Sequence, residues 1–177
     1  LIQCLKLGSL MKAQTASRPV RVGLISLGCA KNLVDGEIML GTLLKDGMEI
    51  TNHTAQADVL IVNTCGFIGP AKEESYRVLD ELAKSKLDGQ ILIAAGCLTQ
   101  RYGVEVAQKV PGIDGILGTR RWMDIVQVVR EVRKGPHPEP IYHLPEAATV
   151  GSDENDTLRV SVAGASAYLK VADGCRR

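Results

Sequence analysis

DVLIVNTCGFIGPAKEES, residues Asp58–Ser75, is the stretch on which the fold turns. Its first half is a near-continuous apolar run, and such runs suit a strand buried on both faces of a parallel sheet. Cys65 and Gly66 follow, and Pro70 stands where a helix's first turn tolerates a missing N–H. Tyr76, Leu79, Leu82 and Ala83 then line one face of the predicted helix. Glu73 and Glu74 lie near its positive end and Lys84 and Lys86 near its negative end, as the helix dipole favours.

The same unit recurs on either side. Upstream, VRVGLISL (Val20–Leu27) leads through Gly28 to Cys29. A helix follows, with Asn32 or Asp35 as candidate cap, an apolar stripe of Ile38, Met39, Leu43 and Leu44, and Asp46-Gly47 as its end. MEIT (Met48–Thr51) is a short candidate edge strand. Downstream, QILIAAG (Gln90–Gly96) leads to Cys97, with Thr99 as candidate cap of a helix bearing Tyr102, Val106 and Val110 and stopped by Pro111-Gly112. GILG (Gly115–Gly118) predicts a fourth main strand, and Trp122, Ile125, Val126, Val129 and Val132 mark an amphipathic helix closed by Gly135. Alternation of strand and helix predicts an α/β fold, an open parallel sheet with flanking helices.

Composition then changes. Pro136, Pro138, Pro140 and Pro145 fall close together and the acidic GSDENDT follows, which reads as a linker over 136–157. LRVSVAG and ASAYLKVAD look like the opening strands of a second domain, residues 158–177, cut off at Arg177. Residues 1–18 read as a flexible extension before the main domain of 19–135. A chain that starts at Leu1 and stops just after Cys175 is expected to be a fragment.

A hydrophobic share of 45% in 177 residues supports one domain with a real core and something beyond it. The net charge of +1 gives no general attraction to nucleic acid or membrane, and 3% aromatic residues, with Phe67 and Trp122 the sole Phe and Trp, leave few platforms for base stacking. No apolar run nears the roughly 20 residues that span a bilayer. Five cysteines, an odd count without a CxxC pair, argue for a reducing compartment, so a cytoplasmic protein is expected.

Cys29, Cys65 and Cys97 are spaced by 36 and 32 residues, each about one strand–helix unit. In an open α/β sheet, ligands bind outside the carboxyl ends of the strands. Three thiols would therefore leave one sheet edge together, each near the start of a helix whose dipole favours thiolate. One free cysteine alone reads as a small buried residue; three in the same local setting point to a shared metal object. Thiolate ligands suit an iron–sulfur cluster, and with three protein ligands one iron stays open. Structural zinc prefers four ligands in close pairs. Gly28, Gly66 and Gly96 are expected to let backbone approach a bulky inorganic core. Lys31 could balance cluster charge, while His53, His137 and His143 read as loop or solvated linker residues and Cys4 as incidental. No phosphate-binding glycine motif occurs. A thiol-redox protein and a flavin-binding module are the competing classes.

SLGCAKNLVDGE, VNTCGFIGPAKEES, AAGCLTQRY and GILGT together resemble the N-terminal domain of the radical S-adenosylmethionine methylthiotransferases, over about Val20–Arg133. SLGCAKNLVD and NTCGFI are similar to the branch that methylthiolates an aspartate of protein twelve of the small ribosomal subunit, rather than to the branch that modifies tRNA adenosine. Gly36 departs from the serine common there, as do Arg176 and Arg177 from the residues that usually follow the first radical-domain cysteine.

The resemblance implies a flavodoxin-like domain that binds an auxiliary [4Fe–4S] cluster through Cys29, Cys65 and Cys97. It implies Cys175 as first ligand of a second, radical-generating [4Fe–4S] cluster. That cluster would cleave S-adenosylmethionine to a radical that takes hydrogen from the aspartate β-carbon, a second S-adenosylmethionine giving the methyl group. The implied partners are the small-subunit ribosomal protein and an electron donor. Lacking the rest of the radical domain, this chain alone is expected to be inactive.

Overall fold

The computed structural model describes residues 18–144, 146, 158–160 and 168. It contains the strands β1 (Arg21–Ser26), β2 (Glu49–Ile50), β3 (Val59–Thr64), β4 (Ile91–Gly96), β5 (Gly115–Gly118) and β6 (Ile141–His143). The helices are α1 (Ala30–Lys45), α2 (Gly69–Ser85), α3 (Cys97–Lys109) and α4 (Ile125–Val132), with 3₁₀ turns at Thr54–Gln56 and Thr119–Asp124.

All six strands are parallel and run in the order β2-β1-β3-β4-β5-β6. The expected open parallel sheet of flavodoxin-like order is thus present. The chain leaves β1 toward β2 on one side and resumes with β3 on the other. The sheet's topological switch point lies between β1 and β3, where such folds hold their ligands.

Strand alternation explains the layers. Val59 and Ile61 of β3, Ile93 and Ala95 of β4 and Leu117 of β5 pack with Met39 and Leu43 of α1 and with Ile125, Val128, Val129 and Val132 of α4. Leu60, Val62, Leu92, Ala94 and Ile116, one residue out of step, pack with Leu79 of α2 and Leu98 and Val106 of α3. Two apolar layers therefore sandwich the sheet, and every residue of β3 is buried. Pro70 sits in the first turn of α2, as its missing N–H requires.

Three local expectations are corrected. The cap of α1 is Cys29 rather than Asn32 or Asp35, both of which are buried inside the helix. Thr99 does not cap α3 but lies within it, its hydroxyl hydrogen-bonding the carbonyls of Leu117 at 2.6 Å and Gly96 at 2.9 Å. The proline-rich stretch read as linker carries β6, which pairs with β5 through Gly115, Ile116 and Leu117. An edge position lets a strand start directly after Pro140. The outlying Cys4 and Cys175, and the strands expected in LRVSVAG and ASAYLKVAD apart from residues 158–160 and 168, lie outside the described residues.

Candidate functional site

Cys29, Cys65 and Cys97 leave the carboxyl ends of β1, β3 and β4, three strands that are neighbours in the sheet. All three are free thiols: Cys29 is exposed, Cys97 half-buried and Cys65 buried. Cys29 caps α1 and Cys97 is the first residue of α3. Two of the thiols thus stand at the positive ends of helix dipoles.

The glycines beside them bring the loops together, which is not the role expected from sequence. A Cβ on Gly28, where φ is +90°, would lie 2.5 Å from Cys65 Cβ and 2.9 Å from its Sγ. One on Gly66 would lie 2.7 Å from Leu98 Cα. On Gly96, where φ is +107°, it would lie 2.4 Å from the Thr64 carbonyl oxygen. Each cysteine loop packs against the next, and glycine is the residue that permits it. The close approach is of protein to protein.

Buried polar side chains then fasten the loops. Asn32 Nδ2 donates to the carbonyls of Leu27 and Thr64, each at 2.9 Å, tying α1 to the ends of β1 and β3. Asn63 Nδ2 donates back to the Asn32 carbonyl at 2.6 Å. Thr64 Oγ1 donates to the Ala95 carbonyl at 2.5 Å, linking β3 to β4. Ser75 Oγ, fully buried in α2, accepts from the Cys65 amide at 3.0 Å and can donate to the Ala71 carbonyl at 2.8 Å. Sequence reading missed this set. Its signal was available, because Asn63-Thr64 interrupts an otherwise apolar run and Ser75 sits on the apolar side of α2.

The electrostatics at Cys97 reflect the other two thiols. Burial pushes the Cys97 thiol above its ordinary value, the positive charge of Lys31 pulls it down, and negative charge on Cys29, Cys65 and Asp35 pushes it up. Lys31 Nζ is paired with Asp35 Oδ2 at 2.5 Å, and Asn32 Oδ1 lies 3.7 Å from Cys97 Sγ. Three soft donors with a cation beside them match the chemistry of a thiolate-held cluster. Among the described residues, no group of three or more Cys, His, Asp or Glu side chains is arranged to hold a single metal ion. A polynuclear cluster asks something different, since its thiolates ligate separate irons and stand apart around it.

The histidines do not join this edge. His143, in β6, places Nε2 2.7 Å from Asp124 Oδ2 and is mostly buried rather than solvated. His137 is exposed beside the carbonyl of Glu131, and His53 is exposed in the loop after β2.

Fold and site together define a class: an α/β domain that gathers three thiols at the switch point of a parallel sheet. Residues 21–118, more than half of the chain, match the family described as Uncharacterized protein family UPF0004, and the chain belongs to that family. It is 47% identical over 165 residues to the Ribosomal protein uS12 methylthiotransferase RimO of Symbiobacterium thermophilum, covering 92% of this chain and 33% of that protein. The RimO of Pelotomaculum thermopropionicum is 45% identical over 163 residues, covering 88% of this chain and 35% of the relative. That of Bdellovibrio bacteriovorus is 41% identical over 170 residues, covering 94% and 36%. The chain spans about a third of the length of these curated relatives. The similarity noted in the cysteine motifs extends over most of the chain. No helix among the described residues is long and apolar enough to cross a membrane.

Proposed function

We propose that this chain is the N-terminal part of an enzyme that methylthiolates the β-carbon of an aspartate in ribosomal protein uS12, and that Cys29, Cys65 and Cys97 hold its auxiliary [4Fe–4S] cluster. The observation that supports the reading is the placement of three free thiols on adjacent strand ends, in a chain similar to proteins named as ribosomal protein uS12 methylthiotransferases.

A cluster with three cysteine ligands supplies one iron with an exchangeable position, suited to carrying the sulfur that substrate receives. The protein's own residues do the rest. Cys29 caps α1 and Cys97 opens α3, so the positive ends of two helix dipoles face the proposed anionic cluster. Lys31 offsets negative charge at the site, and the bonds of Asn32, Asn63, Thr64 and Ser75 hold the three loops in place before anything binds. In the longer protein, Cys175 would be the first ligand of a radical-generating cluster that uses S-adenosylmethionine. The wider partners are uS12 as substrate and an electron donor, in the cytoplasm.

Anaerobic reconstitution with iron and sulfide tests the assignment. The unaltered chain should take up about four irons, with the charge-transfer absorption of an iron–sulfur protein. A Cys29→Ala/Cys65→Ala/Cys97→Ala variant should take up none. Full loading of that variant overturns the ligand set.

A further inference from the structure

Beyond the acidic stretch, residues 158–160 contact α1 at Glu37 and Gly41. The contact has three parts. Gly41, at the start of the fourth turn of α1, leaves room for the main chain: a Cβ there would lie 1.5 Å from the Leu158 carbonyl oxygen and 2.5 Å from its carbon. The Val160 amide donates to the Glu37 carbonyl at 3.2 Å. The guanidinium of Arg159 meets the Glu37 carboxylate at 2.5 Å through both Nε and Nη2, and its Nη1 donates to the Tyr168 carbonyl at 2.5 Å.

The Glu37 side chain is 2% exposed and that of Arg159 26%, so this pair is far better shielded from solvent than an ordinary surface ion pair. A buried carboxylate needs such a partner. Arg159 bridges two pieces of chain, α1 and residue 168, seven residues before Cys175.

We propose that α1 is the docking face for Leu158–Val160, with Glu37, Gly41 and Arg159 as the latch. The occupant is Leu158–Val160 of the same chain, with the Tyr168 carbonyl held by Arg159. The latch fixes the chain at Leu158–Val160, directly after the acidic stretch. The inference stands on these contacts and does not depend on a cluster being bound.

Amide hydrogen exchange on the iron-free chain tests it. In the unaltered protein the Val160 amide should exchange about tenfold or more slowly than an unstructured amide. Gly41→Ala, a change that helix propensity alone favours, should abolish that protection while the amides of Leu40 and Leu43 inside α1 stay protected. Should the alanine also loosen α1, Arg159→Gln decides, because it leaves the inner face of the helix untouched. Release of Val160 in that variant supports the latch. An unprotected Val160 in the unaltered chain, or retained protection in Arg159→Gln, overturns it. Failure to load iron would count against the cluster assignment and leave this result standing.

Discussion

The two edges of the sheet are fastened differently. At the carboxyl edge, the loops after β1, β3 and β4 are joined by buried amide and hydroxyl side chains and by glycines in close contact. At the amino edge, carboxylates beside the strand starts do the work. Asp58 accepts from both Arg18 amino groups and from the Arg21 amide, and Asp114 accepts from Lys86 and the Leu92 amide. Charge pairs near solvent tolerate adjustment and contribute little each. Buried neutral bonds have one good geometry and are costly to leave unmade. The edge carrying the thiols is therefore the one built for fixed positions.

The contrast can be broken most severely at Gly96. Gly96→Ala forces a side chain onto a φ of +107° and into the Thr64 carbonyl, and should cost about 3 kcal/mol or more, read as a lower urea midpoint. Next comes Asn32→Leu, which leaves the Leu27 and Thr64 carbonyls without this donor and should cost about 2–3 kcal/mol by the same measurement. Ser75→Ala removes the hydroxyl that serves the Cys65 amide and should cost about 1–2 kcal/mol. Iron uptake on reconstitution should fall for both of these.

The smallest effect belongs to the amino edge. Asp58→Asn should cost about 0.5–1 kcal/mol at neutral pH and leave iron uptake unchanged. For Asp58, burial pushes the carboxyl up, but hydrogen bonds from Arg18 and Arg21 and the Arg18 charge outweigh it and hold the group below its ordinary 3.8. A depressed carboxyl stabilises the fold above its unfolded value and loses that effect as pH falls through the folded one. The gap between the unaltered chain and Asp58→Asn should therefore be full above about pH 5 and close as the pH drops below 3.8. Urea melts at several pH values check the sign. A cost at Asp58 equal to that at Asn32 would erase the distinction between the edges.

Strands and thiols were legible in the sequence because both rest on local pattern. Apolar runs of strand length ending at Gly28-Cys29, Cys65-Gly66 and Gly96-Cys97 mark buried parallel strands and their exits without knowledge of neighbours. The features missed depend on contacts between distant residues. β6 exists because Ile141–His143 finds β5, not because its own proline-rich surroundings favour extension into a sheet. Asn32 and Thr99 are ordinary capping residues by type, and only the carbonyls of Thr64 and Leu117 turn them into cross-links. The glycines were recognised as sites of close approach, but their partner, the adjacent loop, is set by strand order.

That order also has a consequence for how the protein is made. Thiols drawn from positions 29, 65 and 97 meet once β1, β3 and β4 have paired, and parallel pairing of distant segments is a slow, non-local event. In a zinc finger the metal draws its ligands together and is part of the folding free energy. Here the sheet must assemble first. On this reading, iron and sulfide that reach the nascent chain early find three unrelated thiols. Under the proposed cluster assignment, maturation belongs after folding, and the yield of loaded protein depends on keeping those thiols reduced until the sheet has formed.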